Sequence, residues 1–234
     1  MDAASLSSLL RLQQLADSSL PIGGAAHSFG LESLVDAGLL NVEGLEPFLR
    51  DYLAEPGTLE ASYCAASCRL AQNKAGGDVI TEWRRWNAEL GARKLAREAR
   101  DGSAAMGRRF LHLAAQVSNI PILVGTSQTI VDTSAEVHLA ACFGLVAGAL
   151  DLDADVASAA YLQQSLTTLV ACCQRLLPLG QTQAQEILWN LKPAILCAVQ
   201  RGAATPPEQS NCFTPLLDVA SARHASLYTR LFMS

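Results

Sequence analysis

The sequence predicts an all-α fold: a single domain of about eight to ten helices that ends in a C-terminal tail segment. Apolar residues recur at intervals of three and four over most of the chain, whereas β-branched runs with a two-residue period are hard to find. Half of the 234 residues are hydrophobic and the net charge is only −5. Burial of these side chains can therefore offset the entropy lost on folding, which excludes disorder throughout the chain.

The first half of the chain shows apolar stripes with helical spacing between short breaks. Helices are predicted over residues 7–15, 28–38, 45–53, 59–71, 78–90, 92–100 and 103–117. The stripe is clearest in the third of these, where Leu45, Leu49 and Tyr52 fall on one face. Glycine and proline mark the breaks, at Pro21, Gly23–Gly24, Gly38, Pro56–Gly57, Gly76–Gly77 and Gly91.

The second half begins with residues 122–132, whose β-branched composition we interpret as a loop or a helix start. Residues 135–150 are small and apolar nearly all round, with Gly144 and Gly148 four apart, which predicts a central helix that neighbours approach closely. Two long helices follow over residues 153–177 and 181–201. We therefore assign residues 1–202 to a helical domain and residues 203–234 to a polar linker and a partner-binding tail.

Composition and charge exclude several classes of protein. The excess of 22 acidic over 17 basic residues lacks the positive field that nucleic-acid binding needs. No apolar stretch reaches the length of a membrane span, and an acidic residue, Asp2, stands where a signal peptide would be basic. Seven cysteines without a C-x-x-C pair favour a reducing compartment. We expect a cytoplasmic protein that binds neither nucleic acid nor membrane.

No motif for catalysis or for a resident cofactor is present, so we expect a protein that is not an enzyme. Cys64 and Cys68 lie four apart on a predicted helix and could face one metal ion, although a buried structural stripe explains them better. Eight of the 17 cations fall between Arg84 and Arg109. They either dock an acidic partner or form ordinary ion pairs along a solvated helix pair.

Two segments are candidates for partner binding. The first is the turn that contains Gly23, Gly24 and His27, where glycine permits a tight interhelical turn. The second is the tail, in which polar and charged residues alternate with leucine, valine and phenylalanine. Its candidate partner-binding residues are Arg223, His224, Tyr228 and Arg230. Such a tail either docks on its own domain or becomes ordered when it binds a partner.

These segments belong to a series of short motifs that runs through the whole chain. The motifs are LADSSLPIGG at residues 15–24, HSFGLE at 27–32, GRR at 107–109, FG at 143–144, RLLPLGQT at 175–182, PLLDV at 215–219, RH at 223–224 and LYTRLF at 227–232. In this order they resemble the urease accessory protein UreF family. The sequence departs from the family pattern at Ala25, where relatives often have an aromatic residue, and at Ala225, where they often have an acid.

The resemblance implies an all-α, dimeric maturation factor for the nickel centre of urease. Proteins of this family bind the accessory protein UreD, called UreH in some bacteria, and through that complex recruit the GTPase UreG and act on the urease apoprotein. A GTPase-regulating role has been proposed for them. The family's tail becomes ordered on binding UreD, and an arginine that matches Arg223 supports UreG recruitment. Nickel is handled by the assembled complex, so no resident cofactor or metal is expected in this chain.

Two other functions stay open at this point. A nickel-binding metallochaperone would use Cys64 and Cys68 with a histidine. An all-α enzyme of unknown type would depend on His27 or His138.

Overall fold

The described residues form twelve α-helices, three short 3₁₀ turns and one π-helical turn, with no β-strand among them, which confirms the all-α prediction; the helices are more numerous than the eight to ten predicted. The computed structural model describes residues 3–73, 78–133 and 135–234. The predicted break at Gly76–Gly77 and the acidic start at Asp2 lie outside these ranges. In order, the helices are α1 (Ala3–Leu15), α2 (Leu31–Asp36), α3 (Val42–Tyr52), α4 (Thr58–Gln72), α5 (Val79–Arg93), α6 (Arg97–Ser118), α7 (Pro121–Thr133), α8 (Leu139–Ala149), α9 (Ala154–Leu176), α10 (Gln181–Asn190), α11 (Lys192–Ala204) and α12 (Pro215–Arg223).

Helix α8 forms the centre of the molecule, as its small apolar sequence predicts. Ten of its eleven residues are buried. The backbones of Gly144 and Gly148 lie directly against the carbonyl groups of Cys64 and Cys68 in α4, so that no β-carbon would fit at either glycine. The two helices therefore meet backbone to backbone, and α6 and α9 close the other sides of α8.

Aromatic packing and hydrogen bonds fix the helices around α8. Phe110 of α6 stacks on Phe143 with ring centroids 5.4 Å apart. On the α5 side, the indole of Trp83 donates to the Ala141 carbonyl at 3.0 Å, and the Asn87 side chain accepts from the His138 backbone amide at 2.7 Å. These bonds satisfy polar groups that would otherwise be costly to bury.

Three helix boundaries differ from the predicted ones. The chain stays helical through Gly91 and breaks at Lys94 instead, so residues 97–118 form one helix in place of two. Residues 121–133 form the complete helix α7, where the sequence left a loop or a helix start open; Leu123 and Ile130 of this helix are buried in the core. The predicted helix over residues 181–201 divides at Leu191. Pro193 lies in the first turn of the second part, and it has no backbone N–H to donate the hydrogen bond that a helix interior requires.

The predicted linker is ordered and attached to α5. It contains a 3₁₀ turn, Pro207–Gln209. Glu208 forms an ion pair with Arg85 at 2.5 Å and accepts from the Trp86 indole at 3.1 Å, while Arg93 donates to the Ser210 carbonyl at 3.1 Å. The hydrogen bond from Arg85, with smaller contributions that include the bond from Trp86, lowers the pKa of Glu208 to about 2. Helix α12 and the tail beyond it then pack against α2 and α6. Within the described ranges, none of the helices combines the length and hydropathy that crossing a bilayer requires.

Candidate partner-binding site

The glycine pair after α1 forms a tight turn. Gly23 has a left-handed backbone with φ of 88°, which favours glycine, and Gly24 opens a 3₁₀ turn. Arg109 of α6 donates to the Ile22 carbonyl at 3.2 Å, and its guanidinium occupies the space that a β-carbon on Gly23 would need. The turn is therefore fixed by its neighbours, with both glycines partly exposed.

His27, which follows this turn, is buried. Its ring lies against Gly102 of α6 and stacks on Phe29 at 5.7 Å. Its Nδ1 is 2.8 Å from the Ser234 hydroxyl. Burial, and to a smaller extent the charge of Arg109, lowers the pKa of His27 below 6.5. This histidine joins the turn to the tail and presents no ring atoms to a partner while the tail stays in place.

The last described residues of the tail return to the same turn. Met233 donates its amide to the Ala26 carbonyl at 2.7 Å. The Ser234 carbonyl accepts from the Ser28 amide at 2.5 Å and from the Phe29 amide at 3.1 Å. The two segments that the sequence marks as separate candidates therefore form one continuous structure. Of the two alternatives for the tail, the structure shows docking on its own domain.

His224 holds the tail to the body. It is fully buried, with Nδ1 2.7 Å from Glu98 and Nε2 2.8 Å from Glu32. Glu32 also accepts the backbone amides of Leu231 at 2.6 Å and Phe232 at 3.2 Å. Direct contact between His224 and a partner would therefore require the tail to leave this position.

The other three candidate residues of the tail face solvent. Arg223 is exposed in the last turn of α12, and Tyr228 is completely exposed. Arg230 is exposed as well and forms an ion pair with Glu98 at 3.0 Å. A tyrosine and two arginines on one short segment are the residue types that contribute most to protein interfaces.

A groove lined by both polar and aliphatic side chains lies beside these residues, between α2 and α12. It has a volume of about 280 Å³, and Tyr228 and Arg223 form part of its wall. Three of its side chains are unusually exposed for aliphatic residues: Leu39, Leu216 and Val219 are 63%, 55% and 55% exposed. The sequence marks the two tail residues as apolar, but no local signal places Leu39 next to them. We call this groove and its arginine and tyrosine the α2–α12 surface.

A second space, which the sequence does not predict, lies beneath α12. It has a volume of about 130 Å³, and Asp218 of α12 forms part of its lining. At its base Glu60 pairs with Lys94 at 2.5 Å and accepts from the Tyr161 hydroxyl at 2.8 Å. Burial raises the pKa of Tyr161 well above 10, with a further contribution from the Glu60 charge. The ion pair and the hydrogen bond compensate the charge of the buried Glu60 carboxylate, because an unpaired charge in this position would be strongly destabilising.

Cys64 and Cys68 take the structural role that the sequence favours over a metal site. Both are buried in α4 against α8, and Cys68 donates to the Leu152 carbonyl at 3.3 Å. Burial raises the pKa of both thiols, that of Cys68 to about 12. Residues 3–73, 78–133 and 135–234 contain no group of three or more His, Cys, Asp or Glu side chains arranged to hold a metal ion.

Most of the cations in the predicted basic segment form ion pairs or hydrogen bonds with other residues of this chain. Lys94 forms an ion pair in the core, and Arg109 donates a hydrogen bond to the N-terminal turn. Arg85 and Arg93 bind the linker. Arg97 pairs with Asp101 at 3.6 Å on the surface of α6. Ion pairs and structural contacts thus account for these cations, in agreement with the simpler of the two interpretations.

An all-α body with exposed aliphatic side chains along a groove, flanked by tyrosine and arginine, is typical of a protein-binding module. The sequence profile of the UreF family matches residues 39–192. The chain is 30% identical to the urease accessory protein UreF of Actinobacillus pleuropneumoniae serotype 3, over 95% of this chain and 97% of that one. It is 30% identical to the same protein of Bacillus sp. strain TB-90 (97% and 99%) and 33% identical to that of Picosynechococcus sp. (96% and 99%).

The chain therefore belongs to the UreF family of urease accessory proteins. Membership confirms the resemblance drawn from the motifs. Proteins of this family are accessory proteins that support urease maturation within the urease accessory complex, and they are not enzymes.

Proposed function

We propose that this chain is a helical adaptor in the maturation of the urease nickel centre. It binds UreD/UreH, recruits the GTPase UreG through that complex, and reaches the urease apoprotein as part of the assembly in the cytoplasm. Membership of the UreF family supports the proposal, and the α2–α12 surface is the structural observation on which it mainly depends. That surface combines exposed aliphatic side chains with Arg223 and Tyr228, a composition suited to binding another protein.

Within this surface we assign different roles to the tail residues. Arg223 and Tyr228 contact a partner directly, because both are exposed at the groove. Arg230, exposed but paired with Glu98, contributes at the rim, where charges affect association rates more than affinity. His224, His27, Gly23 and Gly24 act indirectly, by fixing the segments that carry the exposed residues.

The experiment that tests this assignment is a pull-down of UreD/UreH and UreG by the tagged chain. We expect Arg223→Ala and Tyr228→Ala to reduce recovery of a partner at least tenfold, since truncation of a central interface residue costs about 2 kcal/mol or more. The matched control is Arg11→Ala, which removes an exposed arginine from α1. Unchanged recovery with both tail variants would remove the α2–α12 surface from its proposed role.

We further propose that the chain is a homodimer and that the helices after Asp153 contribute to its interface. The α10–α11 face supports this proposal. Trp189 of α10 is 76% exposed and Leu196 of α11 is 58% exposed, with Pro193 exposed between them. Sedimentation measurements test the idea: Trp189→Ala should shift the chain toward monomer, while Val131→Ala, which removes an exposed apolar side chain from α7, should not. A dimer unaffected by Trp189→Ala would place the interface elsewhere.

Nickel, in this proposal, is cargo of the assembled complex and is not stored by the chain. The alternative is a metallochaperone that uses Cys64 and Cys68. Both thiols are buried and their pKa values are raised, so forming the thiolate that a metal requires is unfavourable. Equilibrium dialysis decides between the two: we expect no stoichiometric tight Ni²⁺ binding. Tight binding that is lost in the Cys64→Ala, Cys68→Ala double variant would favour the alternative.

A further inference from the structure

The space beneath α12 has the size and the lining of a small-molecule site. Its volume of about 130 Å³ is close to that of a protein cavity of about 150 Å³ that binds one benzene molecule. Most of its wall is apolar, with Met106 of α6, Leu169 of α9 and Leu217 of α12 among the lining residues. Leu95 belongs to the same wall and is 72% exposed, so the space reaches the surface beside this residue. A small molecule that enters there would be largely enclosed.

Gln164 of α9 contributes an unused hydrogen-bond acceptor to this wall. Its side chain is only 6% exposed, and its Nε2 atom donates to the Asp17 carbonyl at 3.3 Å. Because a carbonyl oxygen only accepts hydrogen bonds, this contact fixes which end of the amide is the oxygen. Among the described residues, none donates to the Oε1 atom, which is itself buried. Tyr161 and Thr168, three residues before and four after, line the space too, so this face of α9 is turned toward it.

Lys94 contributes a hydrogen-bond donor to the same wall. Its ammonium group pairs with Glu60 at 2.5 Å and carries more N–H donors than this one contact uses. Glu60 also accepts from the Tyr161 hydroxyl at 2.8 Å. Glu60 therefore connects Lys94 to the face of α9 that carries Gln164. A ligand that suits this wall needs both a donor and an acceptor.

The charged residues of the wall balance one another. Its acids are Glu60 and Asp218, and its bases are Arg93 and Lys94. Burial raises the pKa of Asp218, which shows that negative charge is poorly solvated on the α12 side of the space. A charged ligand would add an unpaired charge to this balanced site, at a cost in desolvation. The wall therefore favours a ligand without net charge.

We propose that the space beneath α12 binds a small neutral primary amide with a short apolar chain. The amide N–H donates to Gln164 Oε1, the amide oxygen accepts from Lys94, and the apolar chain contacts Met106 and Leu169. A carboxylate of the same shape has no donor for Gln164 and brings a negative charge. The site shares no lining residue with the α2–α12 surface, and the inference does not depend on the proposed adaptor function.

The test is an NMR titration of the full chain with isobutyramide, which has as many non-hydrogen atoms as benzene. The matched control ligand is isobutyrate, which has the same shape and a carboxylate in place of the amide. We expect saturable binding of isobutyramide with a Kd of about 1 mM or lower, and binding of isobutyrate at least about tenfold weaker. Intermolecular NOEs should connect the probe's methyl groups to Met106 and Leu169.

Three results of this titration would overturn the proposal. The first is a lack of saturable isobutyramide binding up to about 50 mM, which would mean that the space holds water only. The second is equal affinity for isobutyramide and isobutyrate. The third is a set of NOEs that places the probe elsewhere on the chain. Because both ligands are compared on the wild-type protein, the test does not depend on the folding of any variant.

Two variants of α9 test the role of Gln164 separately. Gln164→Met keeps the length of the side chain and removes the acceptor, while the Asp17 carbonyl retains the Leu20 amide as a donor at 3.1 Å. We expect its affinity for isobutyramide to fall at least about tenfold, since the amide N–H would be buried without a partner. The matched control, Gln163→Met, makes the same change at a half-buried position outside the lining and should bind as wild type does. Unchanged affinity in Gln164→Met would contradict the proposal.

Discussion

Gly144→Ala tests the close packing of α4 on α8 most directly. A β-carbon at this position would lie 2.8 Å from the carbonyl carbon and 3.0 Å from the Cα of Cys64, and nearer still to the carbonyl oxygen. Carbon atoms in van der Waals contact are about 3.5–4.0 Å apart. The two helices would have to separate by about 1 Å, and no side chain can rotate away, since the obstructing atoms belong to the α4 backbone.

The magnitude follows from two opposing effects. Overpacking of a core costs about 1–3 kcal/mol, and a backbone obstacle places this case at the upper end. Alanine recovers up to about 1 kcal/mol through its better helix propensity. We therefore expect the free energy of unfolding to fall by about 2 kcal/mol, measured by urea unfolding followed by far-UV circular dichroism.

The matched control is Gly125→Ala in the middle of α7. A β-carbon there meets nothing within 4 Å, so only the propensity gain remains and the variant should be slightly more stable than wild type. If Gly144→Ala were as stable as Gly125→Ala, the backbone contact between α4 and α8 would not be as close as described.

Three further predictions concern buried polar groups and the tail. His138 is buried, and its pKa is lowered to about 3, mainly by desolvation. In the unfolded chain this histidine binds a proton near pH 6.5. The free energy of unfolding should therefore fall by about 1.5 kcal/mol as the pH is lowered from 6.5 to 5. His138→Gln should reduce this dependence of stability on pH, and the control His112→Gln, at an exposed position, should not. A pH dependence unchanged by His138→Gln would refute its attribution to His138. Lys94→Met leaves Glu60 buried without its cation and should lower the urea-derived stability by about 3 kcal/mol, whereas a neutral effect would mean that the pair is solvated. Gly30→Ala should loosen α12, because Gly30 has φ of 92° and a β-carbon there would lie 3.1 Å from the Ser221 amide; unchanged amide exchange in α12 would contradict this.

The sequence predicts the fold class well because each helix carries its own signal. Spacing of apolar residues predicts most of the helices, and the glycines of residues 135–150 predict the central helix. The prediction is incomplete where tertiary packing overrides local preference. The β-branched residues of the segment 122–132 favour a strand. A helix nevertheless forms, because it buries Leu123 and Ile130 on one face against the core. The division at Leu191 had a signal in Pro193 that the continuous apolar pattern obscured.

The candidate site could be predicted only in part. The motifs mark both the turn and the tail, but nothing in the sequence shows that they meet. His224 is separated by 192 residues from Glu32 and by 126 from Glu98, and no local pattern links them. Burial of His27 and His224 was equally hidden, because an isolated histidine gives no periodic signal. The partner-binding roles of all seven candidate residues stay predictions.

The measurement that tests the adaptor function most directly is the native mass of the complex purified through this chain after co-expression with UreD/UreH and UreG. We expect a single assembly that contains the chain together with both partners, and activation of the urease apoprotein that depends on this assembly. A chain that elutes alone, while UreD/UreH and UreG assemble and activate urease without it, would contradict the account.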